Sequence, residues 1–203
     1  MTTSKPVPFC VDDMVLCQRP DKIRLRQLES WLQAATPEAK DKIVGFIHHR
    51  LHERYLTPLQ HVPRDYRSGF LMMASACLLI ETLQAFHDGK NETGWGMSQK
   101  KFREFFEREK KFFPGLADHA KAFYKNIRCG ILHQAETTGG WRVRLGGPMF
   151  DPGARSFHAA SFLKALEDCL DDYIQKLRAA KLEDPLWLKA ADKVGFICKN
   201  CRT

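Results

Sequence analysis

No apolar run in this sequence is long enough to cross a bilayer as a helix. The longest, FLMMASACLLI from Phe70 to Ile80, falls short of the roughly 20 residues a span requires. The first residues, MTTSKPVPFCVDDM, carry no apolar core behind their lysine, so no export signal is expected there. Repeats and low-complexity tracts are also missing. GGPMFDPG has glycines but no following Lys-Ser/Thr, and no Gly-x-Ser-x-Gly elbow occurs. A Walker-type phosphate loop and an α/β-hydrolase nucleophile are thereby excluded. Cysteines are present but form no compact framework. Seven of them, an odd and scattered set, fit reduced thiols in a cytoplasm better than a disulfide scaffold.

What is present describes an ordinary helical protein with a basic surplus. The 203 residues are 44% hydrophobic and 28% charged, enough for one well-formed core or a core with a small appendage. A net charge of +8 attracts polyanions over a Debye length of about 8 Å in physiological salt. RNA is the expected partner, with plain solubility as the alternative use of that charge.

The chain divides into an N-terminal part with extra helices (1–60), a helical domain (61–181), and a short C-terminal helix and tail (182–203). Residues 1–20, with Pro6, Pro8 and Pro20, read as an irregular lead-in. Apolar spacing predicts a helix from Asp21 to Ala35. A second is expected to open with Thr36 as N-cap and Pro37 in first position. A nearly all-apolar helix, about Tyr66 to His87, is the predicted centre. Asp88 to Gly96 reads as a loop. Ser98 is the expected N-cap of a helix running through Phe113, with Phe102, Phe105, Phe106, Phe112 and Phe113 on its apolar face. Lys100, Lys101 and Arg103 lie off that face; they read as a solvated face or as candidate RNA contacts. Another helix is predicted from Leu116 or Ala117 to about Gln134, then a short β-hairpin or extended insertion at 141–150. A long amphipathic helix follows. The predicted class is all-α.

The stretch Arg128-Cys129-Gly130-Ile131-Leu132-His133 carries the functional question. Five positions on a straight α-helix turn the side chain by about 500°, leaving Arg128 and His133 roughly 140° apart. Two arrangements would let both serve one ligand. The helix could loosen at Gly130, a weak helix former, or two copies could meet across a twofold axis.

Arg128-x4-His133 near the end of a helix resembles the signature of HEPN domains (higher eukaryotes and prokaryotes nucleotide-binding). YRSGFLMMASACLLIETLQAF resembles the HEPN helix that ends in an acidic residue, here Glu81, and packs beside the motif helix. The resemblance covers about residues 60–180. It implies an up-and-down helical bundle, a homodimer with paired motifs and a metal-independent endoribonuclease, with no cofactor. Members act in toxin–antitoxin pairs and phage defence, so an antitoxin or defence partner is a further expectation. The alternative is a non-catalytic nucleotide-binding or dimerisation module. On this resemblance His133 exchanges a proton with the ribose 2′-hydroxyl or leaving oxygen, a role suited to imidazole. Arg128 holds the scissile phosphate with its planar fork. Catalytic members usually place Asn, Asp or His directly after the arginine; this chain has Cys129, a weak donor. Asn126 and Gln134 flank the motif as candidate supporting groups.

Other clusters carry less. Cys198-x-x-Cys201 has the spacing of half a zinc site, but the other close pair, Cys10 and Cys17, is spaced too widely. Free thiols are expected there. His48 and His52, at i and i+4, could chelate a metal. HHRLHER lacks the order of metalloprotease motifs, and the segment reads as a solvated basic face.

Overall fold

In the computed structural model, which describes residues 10–60, 62, 68–91 and 96–202, helix starts follow side-chain chemistry. Helix α1 (Leu25–Ala34) opens where Gln27 Oε1 accepts the Arg24 amide at 2.8 Å. It closes on Ala35, which is left-handed at φ 49°. Helix α2 (Pro37–Leu51) begins as its sequence predicts. Thr36 Oγ1 accepts the Ala39 amide at 3.2 Å, and Pro37 takes the position that needs no donor. The helix widens into a π turn at His52–Leu56 and runs into the short α3 (Thr57–Gln60).

The predicted lead-in holds more order than its prolines suggest. A 3-10 turn at Val11–Asp13 precedes β1 (Val15–Cys17), which pairs antiparallel with β2 (Ile23–Arg24). The β2 pairing takes Ile23 and Arg24 out of the predicted first helix, so α1 starts at Leu25 rather than Asp21. Pro6 and Pro8 lie outside the described residues.

Helix α4 (Gly69–Asp88) is the central element. Its expected start near Tyr66 falls on a residue not described. By length and composition it is capable of crossing a membrane, unlike the shorter apolar run read from the sequence, but 56% of its most apolar window is buried in the protein. Met73, Ala76, Cys77, Leu79, Ile80, Leu83 and Phe86 are fully or almost fully buried. The helix packs against α8 (Ala159–Ala179) and α9 (Pro185–Arg202), among other elements.

Helix α5 (Ser98–Arg108) starts one residue earlier than an N-cap at Ser98 requires, with Met97 at the cap. It also stops before the predicted Phe113. The Phe112 and Phe113 amides both donate to the Glu109 carbonyl, turning the chain. That turn brings Phe113 to 5.7 Å from Phe105 and 5.1 Å from Phe162. Short turns then lead to α6 (Ala120–Ala122), a π turn (Phe123–Arg128) and α7 (Cys129–Gln134). The helix predicted from Leu116 or Ala117 therefore begins later and is wider in its middle.

The β excursion is real but is not a simple hairpin at 141–150. Strands β3 (Arg142–Arg144), β4 (Phe150–Asp151) and β5 (Ser156–His158) order as β3-β5-β4, with β3 parallel to β5 and β4 antiparallel to it. Asp151 Oδ1 caps the β4–β5 turn at Ala154. Trp141, Phe150 and Phe157 stack across the sheet, tying it to the core. The chain is mostly helical, and one buried cluster runs from Leu16 to Cys198 through all three predicted parts. The C-terminal helix extends through both tail cysteines to Arg202, longer than the short helix expected, and packs on α1 and α4.

Candidate active site

Packing sets the direction of the motif helix before any polar group is considered. Phe123 and Ile127 are fully buried, with Phe123 stacked on Phe162 at 5.4 Å. Burying each such side chain contributes about 1.5–3 kcal/mol, more than an exposed ion pair can. Their inward face leaves Tyr124 and Arg128, one position on, at the rim.

Arg128 is where three partners meet. Its Nε donates to Glu81 Oε1 on α4 at 2.7 Å. Its Nη1 lies 3.0 Å from His133 Nε2. Its guanidinium carbon sits 5.6 Å from the centre of the Tyr124 ring. Partial burial opposes the Arg128 charge, but the hydrogen bond and field of Glu81 outweigh it and raise the guanidinium above its already high range. A guanidinium only donates, so His133 Nε2 is the acceptor and its ring proton sits on Nδ1. Arg128 and Glu81 are largely covered, with side chains 16% and 28% exposed, whereas His133 is exposed. The result is a fixed cation presenting an imidazole to solvent.

A single chain thus closes the 140° gap that favoured a second copy on geometric grounds. The loosening is not at Gly130, because Cys129–Gln134 is ordinary α-helix and the π turn lies upstream. The long arginine side chain makes the reach. Gly130 has another reason to be glycine. Ala135, left-handed at φ 57°, reverses the chain so that the Glu136 amide donates to the Gly130 carbonyl at 3.3 Å. A Cβ at 130 would stand 2.4 Å from the Glu136 carbonyl oxygen.

The flanking candidates divide. Asn126 Oδ1 accepts from Thr138 Oγ1 at 2.9 Å, and its carbonyl accepts the Thr138 amide at 3.0 Å. It ties down the returning loop, one step removed from the guanidinium. Gln134 is exposed at the end of α7. Cys129 is partly buried beside Tyr124. Burial, then a hydrogen bond with Cys129, pushes the Tyr124 hydroxyl above the ordinary tyrosine range. Tyr124 is the residue that sequence reasoning missed. Its place four positions before Arg128, on the same helix face, was the available signal.

The basic candidates on α5 are mostly committed elsewhere. Lys101 is 17% exposed and held by Asp88 at 2.9 Å and Glu104 at 2.7 Å. Arg103 pairs with Glu107 at 2.7 Å, and Lys100 loosely with Glu104 at 3.8 Å. Lys125, Arg142 and Arg144 are exposed and have no ion-pair partner among the described residues.

No family model, curated protein or solved structure matches this chain. The functional reading therefore rests on the array itself.

Proposed function

We propose that the chain is an RNA-binding protein of HEPN-like fold in which Arg128 and His133 cleave RNA without a metal. The carrying observation is the 3.0 Å approach of Arg128 Nη1 to His133 Nε2 beside the Glu81 pair. A bound phosphate oxygen would take the arginine donor that His133 now accepts, freeing Nε2 to receive the 2′-hydroxyl proton. The 2′-oxygen then bonds to phosphorus, the bond to the 5′-oxygen breaks, and that oxygen takes up the proton that His133 received. The products are a 2′,3′-cyclic phosphate and a 5′-hydroxyl. Glu81 keeps the guanidinium charged and oriented, and charge builds on the phosphate where Arg128 already points.

A homodimer belongs to the same proposal. Leu71 and Leu78 are 59% and 43% exposed on α4. With Ala74 they form a stripe that reaches Glu81 at the next turn, so an apolar contact surface borders the array. A toxin–antitoxin or phage-defence setting, in the cytoplasm, fits a free-thiol protein of this kind. A second reading, a non-catalytic nucleotide-binding or dimerisation module, draws on Cys129 next to Arg128 and on the three contacts that occupy the guanidinium.

The test is product analysis on end-labelled single-stranded RNA in EDTA. Cyclic phosphate and 5′-hydroxyl ends are expected. Cleavage only with added divalent metal, or 3′-hydroxyl ends, would overturn the nuclease proposal. Binding without cleavage would favour the module.

A further inference from the structure

The i, i+4 histidines His48, on α2, and His52, at the start of the π turn that follows it, do not form the solvated basic face expected from sequence. His48 Nε2 lies 3.1 Å and His52 Nε2 3.6 Å from Asp171 Oδ1 on α8. The three ligand atoms all fall within 4.8 Å of one another, and this is the one such convergence among the described residues. His52 Nε2 is buried with no hydrogen-bond partner, a cost a native structure does not usually leave uncompensated. His52 also opens the π turn His52–Leu56, a widening that often accompanies functional sites. The two imidazoles meet edge-on, with centroids 4.4 Å apart.

We infer that His48, His52 and Asp171 form a binding site for one zinc-like divalent ion that clips α2 to α8. Ligands about 2.0–2.1 Å from a tetrahedral zinc stand about 3.4 Å from each other, between the two distances observed. Two imidazoles disfavour calcium and magnesium, which take oxygen donors, and suit a borderline ion. Asp171 is 45% exposed at its side chain, which gives the ion a route in and leaves its fourth position to water. This site is on different elements from Arg128 and His133 and plays no part in the proposed cleavage.

The experiment is titration of the full chain with Co²⁺ and then Zn²⁺, read by visible absorption and thermal melting. The expected result is one equivalent per chain, d–d bands without thiolate charge transfer, and a melting rise of roughly 5–10 °C at saturating zinc. His52→Asn and Asp171→Asn should each lose at least about tenfold in affinity and most of the melting rise, since each removes a ligand. His49→Asn, a neighbour outside the triad, should bind as the parent does. Circular dichroism checks that each variant is folded. A thiolate band would place the ion on the cysteines and overturn the assignment. So would equal binding by the ligand variants, equal loss in His49→Asn, or no stoichiometric binding by the parent.

Discussion

At the scale of the residue, the proposed chemistry depends on a guanidinium that serves two neighbours at once. Arg128 gives Nε to Glu81 and Nη1 to His133, a division that needs a planar fork of donors. Lysine keeps the charge but has a single nitrogen and cannot hold both geometries. Arg128→Lys is expected to lower RNA cleavage by roughly 10²–10³-fold with an unchanged circular dichroism spectrum; wild-type turnover would remove Arg128 from the chemistry. Cys129→Asn tests the neighbouring position from the other direction. An amide can replace the thiol near the Tyr124 hydroxyl and supplies a stronger donor. Equal or higher activity is expected, and a large loss would mean that the thiol itself participates.

At the scale of the element, two glycines give opposite predictions. Gly130→Ala drives a Cβ against the Glu136 carbonyl, 2.4 Å away on the backbone. The return loop must then move, at a cost of about 1–3 kcal/mol, visible as a lower melting temperature. Gly45, inside α2, has open space for 4 Å around the point where a Cβ would stand. Gly45→Ala should stabilise by about 0.5–1 kcal/mol, because alanine is the better helix former. Chemical denaturation of both variants checks the contrast. The elements also show what was legible in the sequence. Thr36-Pro37 marked a helix start because capping is decided within a single turn. The Arg128–His133 pair and Glu81 follow from the resemblance to HEPN domains, and these three side chains do meet. The π turn at 123–128 left no composition signal. The α5 stop at Arg108 was hidden because Phe112 and Phe113 continue the apolar spacing after the helix ends. His48 meets Asp171 across 123 positions, and Lys101 is spent on Asp88 of another helix. Such contacts depend on tertiary packing, which local spacing does not encode.

At the scale of the whole molecule, stability should be acid-sensitive. Burial first, then Arg108 and Lys176, push the buried His87 imidazole down to about 3. Because the folded value lies below the ordinary 6.5, the unfolded chain binds the proton first. The stability is present in full above pH 6.5 and is lost as pH falls toward 3, about 2 kcal/mol by pH 5. Urea midpoints at pH 7.5 and 5 check this, and His87→Phe should flatten the difference. Assembly belongs to the same scale. Leu78→Arg on the exposed α4 stripe should convert the proposed dimer to a monomer in sedimentation; a parent chain that is already monomeric would rule the dimer out. The decisive comparison is the rate of RNA cleavage in EDTA by the parent and by His133→Ala. Metal-free cleavage by the parent is expected, with a loss of roughly 10²–10⁴-fold in the variant, the contribution of a positioned acid–base group. Equal rates from the two proteins would contradict a catalytic role for the Arg128–His133 pair.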